Sequence, residues 1–489
     1  MLNKTWNDDC LQKVNNCKIN SKTSFSIRRI ECKDNKVAML IQFTVGNFKS
    51  FKDKATLSLE ATHDDWRDDD NLAHLPEQRL VKAAAIYGPN AGGKSNFLKA
   101  MMKFRDMVQE SSKDSQTGEP ITVTPFRLHS TTEQAPSFFE AIFLQNGTRY
   151  RYGFEATQQA IVAEWLFSQA DSIRETTLFT RENDMIAPTD AFKEGKGLEK
   201  RTRANALFLS VAAQFNGEIA GEVMKWMNQF RNISGLDDAG YMNFTANLLN
   251  DSKYGPLIRE LVKQVDIGIE KLERQEIASD KIPELIPKDL PQAVREIVLR
   301  SAAGAFTVKT FHQRFDAKDQ PAGMVEFDLK SEESAGTQKF VAMTGPFLHT
   351  LQEGAVLFVD ELEARLHPLL TKALVGLFNS SANQKNAQLI FATHDEGLLD
   401  PQRIRRDQVW FVEKDGFGAS RLFCLDEIKG VRKEAKFAKE YLLGQFGGVP
   451  RIGDLQGVLD HAGKKALGTK AARTPSRRNA GAATGADCV

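Results

Sequence analysis

Gly88-Pro89-Asn90-Ala91-Gly92-Gly93-Lys94-Ser95 satisfies the pattern GxxxxGK[ST] at every defined position, and its flanks decide how it is read. Upstream, Leu80-Val81-Lys82-Ala83-Ala84-Ala85-Ile86-Tyr87 is an apolar run of strand length; downstream, Asn96-Phe97-Leu98-Lys99-Ala100-Met101-Met102 predicts a helix. Strand, glycine loop and helix in that order make a phosphate-binding loop. Its glycines let successive backbone N–H groups turn inward around phosphate oxygens, and the helix N-terminus adds its positive end. In that geometry Lys94 reaches the β- and γ-phosphates and the Ser95 hydroxyl ligates Mg2+. The expected ligand is a nucleoside triphosphate, ATP or GTP, held by Gly88, Asn90, Gly92, Gly93, Lys94, Ser95 and Asn96.

A second apolar run, Ala355-Val356-Leu357-Phe358-Val359, ends in Asp360-Glu361, as a buried parallel strand would when it delivers carboxylates beside the glycine loop. Asp360 is expected to organise Mg2+ with Ser95, and Glu361 to orient the attacking water. About 265 residues separate Ser95 from Asp360, so the nucleotide-binding core is expected to be split around inserted segments. A third run, Gln388-Leu389-Ile390-Phe391-Ala392-Thr393, ends in His394-Asp395, where an imidazole can sense a γ-phosphate. Ahead of the Asp-Glu strand, Ser334-Ala335-Gly336-Thr337 opens a helical run from Phe340 to Leu351. A hydroxyl and a glycine there suit an anion site, and they equally suit a plain N-cap.

Around these segments the chain of 489 residues is 41% hydrophobic and 26% charged, a globular composition with room for two or three cores. A net charge of +1 gives no global pull toward nucleic acid. No apolar stretch approaches the roughly 20 residues of a membrane span and the start is polar, so a cytoplasmic protein is expected. Cys10, Cys17, Cys32, Cys424 and Cys488 lack CxxC spacing, which suits a reducing compartment better than a zinc site.

Five regions are expected. Residues 1–38 are a polar extension, either a flexible leader or an upstream translation start. Residues 39–215 form a first ATPase lobe with an antiparallel subdomain, signalled by strand candidates at Leu40–Val45, Ala55–Leu59, Phe138–Leu144 and Tyr150–Glu155 and by the turn Gln145-Asn146-Gly147-Thr148. Residues 216–322 read as a helical insertion: Ile219, Val223, Met224, Met227 and Phe230 share one face, and Leu257, Ile258, Leu261, Val262 and Val265 another, before the proline-bearing stretch 281–291. Residues 323–459 form a second ATPase lobe, and 460–489 read as a basic disordered tail.

In their order, the glycine loop, the serine-glycine segment, the Asp-Glu strand and the histidine resemble ABC-type ATPase heads of the soluble, SMC-like branch. Phe43-Thr44-Val45-Gly46-Asn47-Phe48-Lys49-Ser50-Phe51 is similar to the opening strand and turn of that branch, which implies that Lys49 and Ser50 lie near the nucleotide. Ser334-Ala335-Gly336-Thr337, Leu366-His367-Pro368 and Arg405-Arg406-Asp407-Gln408-Val409-Trp410-Phe411-Val412 resemble the bacterial AAA15 family, which is similar to the ATPase half of overcoming-lysogenization-defect nucleases. The chain departs from transporter heads at Ala335 and Thr337, and no glutamine is an obvious Q-loop residue after the P-loop helix. The fold the resemblance implies is α/β, a P-loop NTPase of ABC-ATPase type with a flanking antiparallel β subdomain and a helical insertion.

The function it implies is an ATPase that uses ATP and Mg2+. It forms a homodimer or higher oligomer, head-to-tail, so that Ser334 and Gly336 face the nucleotide of the other subunit. Members commonly act in phage defence beside a separate effector. No Toprim-like Asp-x-Asp nuclease domain is read after the ATPase lobe, so the nuclease-like effector is expected on another chain. The alternatives are an SMC-like DNA-binding clamp, marked by salt-dependent DNA binding, and a scaffold that binds ATP without turning it over.

Overall fold

The computed structural model describes residues 37–453, apart from 65, 74, 76–77, 114–115, 117, 171–173, 266, 279, 281–290, 293–304, 433–434 and 451–452. The leader with its three cysteines, most of the proline-bearing stretch and the basic tail lie outside the described residues.

The strand ahead of the glycine loop is β3 (Ala83–Tyr87), five residues buried without interruption. With β9 (Phe230–Ser234), β13 (Val356–Asp360), β14 (Gln388–Ala392), β15 (Val409–Lys414) and β16 (Ser420–Cys424) it forms a six-stranded sheet of order β16-β15-β3-β14-β13-β9. Neighbours run parallel except for the β15–β16 pair. Both faces are covered, which is why these strands read as apolar runs rather than alternating ones. Ala84, Ile86, Val356 and Phe358 pack with Phe97, Leu98, Met101 and Phe104 of the P-loop helix Lys94–Glu110. Ala83, Ala85, Tyr87, Leu357 and Val359 point the other way, toward Phe340, Val341 and Phe347 of the helix Ala335–Glu353.

A second sheet is built from β1 (Ala38–Gly46), β2 (Ala55–Ser58), β4 (Ser137–Gln145), β5 (Thr148–Ala156), β6 (Ile161–Gln169), β7 (Thr176–Glu182) and β8 (Met185–Pro188). Its order is β2-β1-β4-β5-β6-β7-β8, antiparallel throughout. The expected hairpin is β4–β5, closed by Asn146 and Gly147, both at positive φ (51° and 83°), as a two-residue turn between twisted strands requires. Phe43 of β1 meets Phe97 and Phe104 edge-on at 5.8 and 5.6 Å, so this sheet sits on the P-loop helix. The fold is that of an α/β P-loop NTPase with an antiparallel β subdomain.

The stretch 216–322 is not purely helical. Helices Glu218–Met227, Ala239–Leu248 and Tyr254–Gln264 are present, but Phe230 starts β9, which joins the edge of the central sheet beside β13. Phe230 falls on the helical stripe by spacing, yet Asn228 ends the helix, and the ring instead bridges Trp226 (4.6 Å) and Phe358 (5.0 Å). Beyond these helices, β10 (Lys271–Glu276), β11 (Phe306–Phe315) and β12 (Pro321–Asp328) form a small antiparallel sheet. Position 322 falls inside β12, which then leads into the Ser334 turn.

Candidate nucleotide site

Parallel register brings the functional segments to one end of the central sheet. Ile86 pairs with Ala392 and Phe391 with Val359, so the loop after Tyr87, the carboxylates after Val359 and His394 all leave the carboxyl ends of neighbouring strands. There the Ser95 hydroxyl donates to Asp360 Oδ1 at 3.0 Å. Lys94 Nζ donates to Gly88 O (2.9 Å) and Pro89 O (3.3 Å) and lies 2.8 Å from His394 Nε2. An ammonium only donates, so Nε2 accepts and the ring proton sits on Nδ1. Partial burial of the ring, with Lys94 beside it, holds His394 below the usual imidazole value. Burial likewise pulls the Lys94 ammonium down, opposed by Glu363, Asp360 and Glu361.

The loop is shaped as a cradle that side chains would fill. A Cβ on Gly88 would lie 2.3 Å from Val412 O, and one on Gly93, where φ is +124°, would lie 2.4 Å from Ser420 Oγ. Asn90 is exposed at the tip, while Gly92, Gly93 and Lys94 are buried. Ser50 lies beside the start of the P-loop helix: its hydroxyl accepts from Asn96 Nδ2 at 2.9 Å. Lys49 sits at φ 51° in a turn braced by Asn47, which donates to Thr132 O and Ala135 O. An open cavity of about 600 Å3 has Lys49, Ser95, Asn232, Asp360 and Glu361 in its walls. The donor set, one hydroxyl and one carboxylate beside a phosphate cradle, fits Mg2+ held mostly by phosphate and water.

Glu361 adopts φ 54°, a conformation a glutamate enters only at a cost of order 1–3 kcal/mol. The glycine that follows β9 lies directly against this turn. Gly235 N donates to Asp360 O at 2.6 Å, and a Cβ at position 235 would stand 1.8 Å from Glu361 O.

Ser334 caps the helix Ala335–Glu353: its hydroxyl accepts from Thr337 N at 3.1 Å and lies 2.9 Å from Thr337 Oγ1. Neither bond reaches the P-loop of its own chain. Gly336 lies against the loop after Glu361, where a Cβ would stand 2.9 Å from Arg365 O. The same two segments are riveted by Lys339, which donates to Leu362 O (3.2 Å) and Ala364 O and whose burial lowers its ammonium to about 8. His367 caps the following helix, Pro368–Phe378, accepting from Leu369 N at 3.2 Å.

Three participants escaped the sequence reading. Glu363 Oε1 accepts from His394 N at 2.6 Å and so fixes where the histidine begins; its signal was an acid two residues past Glu361. Lys339 carried none. Ser420 donates to Gly92 O at 2.6 Å and its N–H to Ser50 O at 2.7 Å, a brace across 328 positions of chain that no local pattern announces.

Fold and site together define a P-loop ATPase domain of AAA type. The chain belongs to the family described as "AAA domain, putative AbiEii toxin, Type IV TA system", which matches residues 83–400. A search of curated proteins gave no match. Among solved structures, the SMC head domain from Thermotoga maritima is 12% identical, with a TM-score of 0.36, covering 79% of this chain and 98% of that one. An SmcHead bound to the C-winged helix domain of ScpA gives 12%, 0.38, 79% and 97%, and a Pyrococcus furiosus Smc head with the C-terminal domain of ScpA gives 12%, 0.33, 84% and 100%. No helix among the described residues is long and apolar enough to cross a membrane.

Proposed function

We propose that this protein hydrolyses ATP, closes head-to-tail on it as a homodimer, and thereby controls a separate effector in bacterial antiphage defence. The observation that carries the proposal is the convergence of Lys94, the Ser95–Asp360 contact at 3.0 Å and the strained Glu361 at one sheet end. Ser95 and Asp360 would hold Mg2+, which when bound neutralises charge on the β- and γ-phosphates. Lys94 exchanges its loop carbonyls for phosphate oxygens, Glu361 orients the water, and His394, whose Nε2 accepts from Lys94 before nucleotide binds, is freed to meet the γ-phosphate. The cap at Ser334, exposed and unused by its own P-loop, supports completion of the site by a second copy. The family's description, which names a TA system, supports action beside a second component.

The test is complementation. Lys94→Ala and Ser334→Arg should each be inactive, the second because arginine crowds the phosphate pocket. Mixed, they form a heterodimer in which one site has both lesions and the other neither, so part of the ATPase activity returns. Subunit exchange is checked first with tagged wild-type chains, and single-site turnover by adding wild-type to either variant. With both established, a mixture that stays dead rules out Ser334 acting in trans.

His394→Ala should slow hydrolysis about 10²-fold or more, within the range for loss of a positioned polar group. ADP affinity should hardly change, because ADP lacks the phosphate the imidazole meets. Equal weakening of ATP and ADP binding, read by competition titration, would make the histidine structural.

A further inference from the structure

Glu333, the residue ahead of Ser334, turns its carboxylate away from solvent into the small sheet. Its Oε1 accepts from Thr310 Oγ1 at 2.5 Å and lies 2.6 Å from His312 Nε2, and its side chain is only 9% exposed. Thr310 and His312 alternate along β11, so both face the same side, and β11 is the middle strand, flanked by β10 and β12. Thr310 is fully buried, and the His312 ring packs on Phe327 at 4.8 Å. The acceptor is therefore fixed to the stiffest part of that sheet.

The same turn is tied on its other side to the helix it precedes. Gln338 Nε2 donates to Glu333 O (2.8 Å) and Lys330 O (3.1 Å), and Leu329 N donates to Val308 O of β11 at 3.0 Å. None of this is needed to cap a helix, because the Ser334 hydroxyl already accepts from Thr337 N. Burying a carboxyl group costs free energy unless it is hydrogen-bonded, and Thr310 and His312 are the partners that Glu333 has there.

We propose that Glu333, gripped by Thr310 and His312, is a positioning residue that sets the aim of Ser334 at the nucleotide of a second copy; this rests on the head-to-tail reading above. The small sheet is then the mount of the signature turn, and β11 its anchor.

The experiment places Glu333 variants in complementation groups. Glu333→Ala should lower turnover about ten- to 10²-fold, the scale of a misplacement near 1 Å, while ATP affinity of the isolated chain stays within about twofold. Glu333→Gln, which keeps an acceptor oxygen for Thr310 and His312, should recover most of the rate. Mixed with Lys94→Ala, Glu333→Ala should regain activity, since one site is then whole; mixed with Ser334→Arg it should not, since both lesions are on the signature side. Melting curves check each variant, and should Glu333→Ala not fold, His312→Ala takes its place in every mixture. No recovery in the Lys94→Ala plus Ser334→Arg control sinks the head-to-tail reading and this proposal with it. Recovery in that control, with the Glu333 variant rescued by Ser334→Arg or not rescued by Lys94→Ala, overturns this proposal alone.

Discussion

Lys94→Ala will cost the protein its grip on ATP. The ammonium is enclosed in the loop, 2.9 Å from Gly88 O and 3.3 Å from Pro89 O, where a phosphate held by the loop would meet it. Alanine removes that charge and leaves backbone donors. Two charge-assisted hydrogen bonds at about 1.5–3 kcal/mol each correspond to a loss of about 10²-fold or more in affinity. The fold should persist, because the helix that begins at Lys94 is held by Phe97, Leu98, Met101 and Phe104 rather than by the lysine. Titration with a fluorescent ATP analogue measures the loss. Unchanged affinity would mean that nucleotide binds elsewhere.

Glu361→Gln should separate binding from turnover. Lys94, Ser95 and Asp360 are untouched by the exchange, so ATP affinity should be retained. The amide cannot take a proton from water or polarise it as a carboxylate does, and turnover should fall about 10²- to 10⁴-fold. Glutamine has the same shape as glutamate, and the bare Gly235 that makes room for the 361 carbonyl is unchanged, so the backbone at 361 should survive the exchange. ATP-bound dimers should accumulate, visible by light scattering. Normal hydrolysis in this variant removes Glu361 from the reaction.

Much of this was readable in the chain. The glycine loop, the Asp-Glu strand and the strand before His394 announce themselves because buried parallel strands write uninterrupted apolar runs, and functional side chains follow immediately at their ends. Asn146-Gly147 marks its hairpin for an equally local reason, the positive φ that the turn demands. What stayed hidden is held by distance. β9 has five residues, with Arg231, Asn232 and Ser234 among them, so neither its length nor its pattern separates it from the helices on either side. The bond from Ser420 to Gly92, the hold of Lys339 on Leu362 and Ala364, and the grip of β11 on Glu333 exist only once the chain has folded back on itself.

The brace of Ser50 and Ser420 around Gly92 and Gly93 also sets when the glycine loop can be completed during synthesis. The loop is made early on the ribosome, but Ser420 follows it by 328 residues. At about 5–20 residues per second that is an interval of tens of seconds, during which the antiparallel sheet formed by β1, β2 and β4 to β8 is already available to fold. The loop therefore spends that interval without its donor from Ser420. Only when β16 has left the exit tunnel can the Gly92 carbonyl find its partner, so a loop written early in the chain is among the last pieces of the core to be finished.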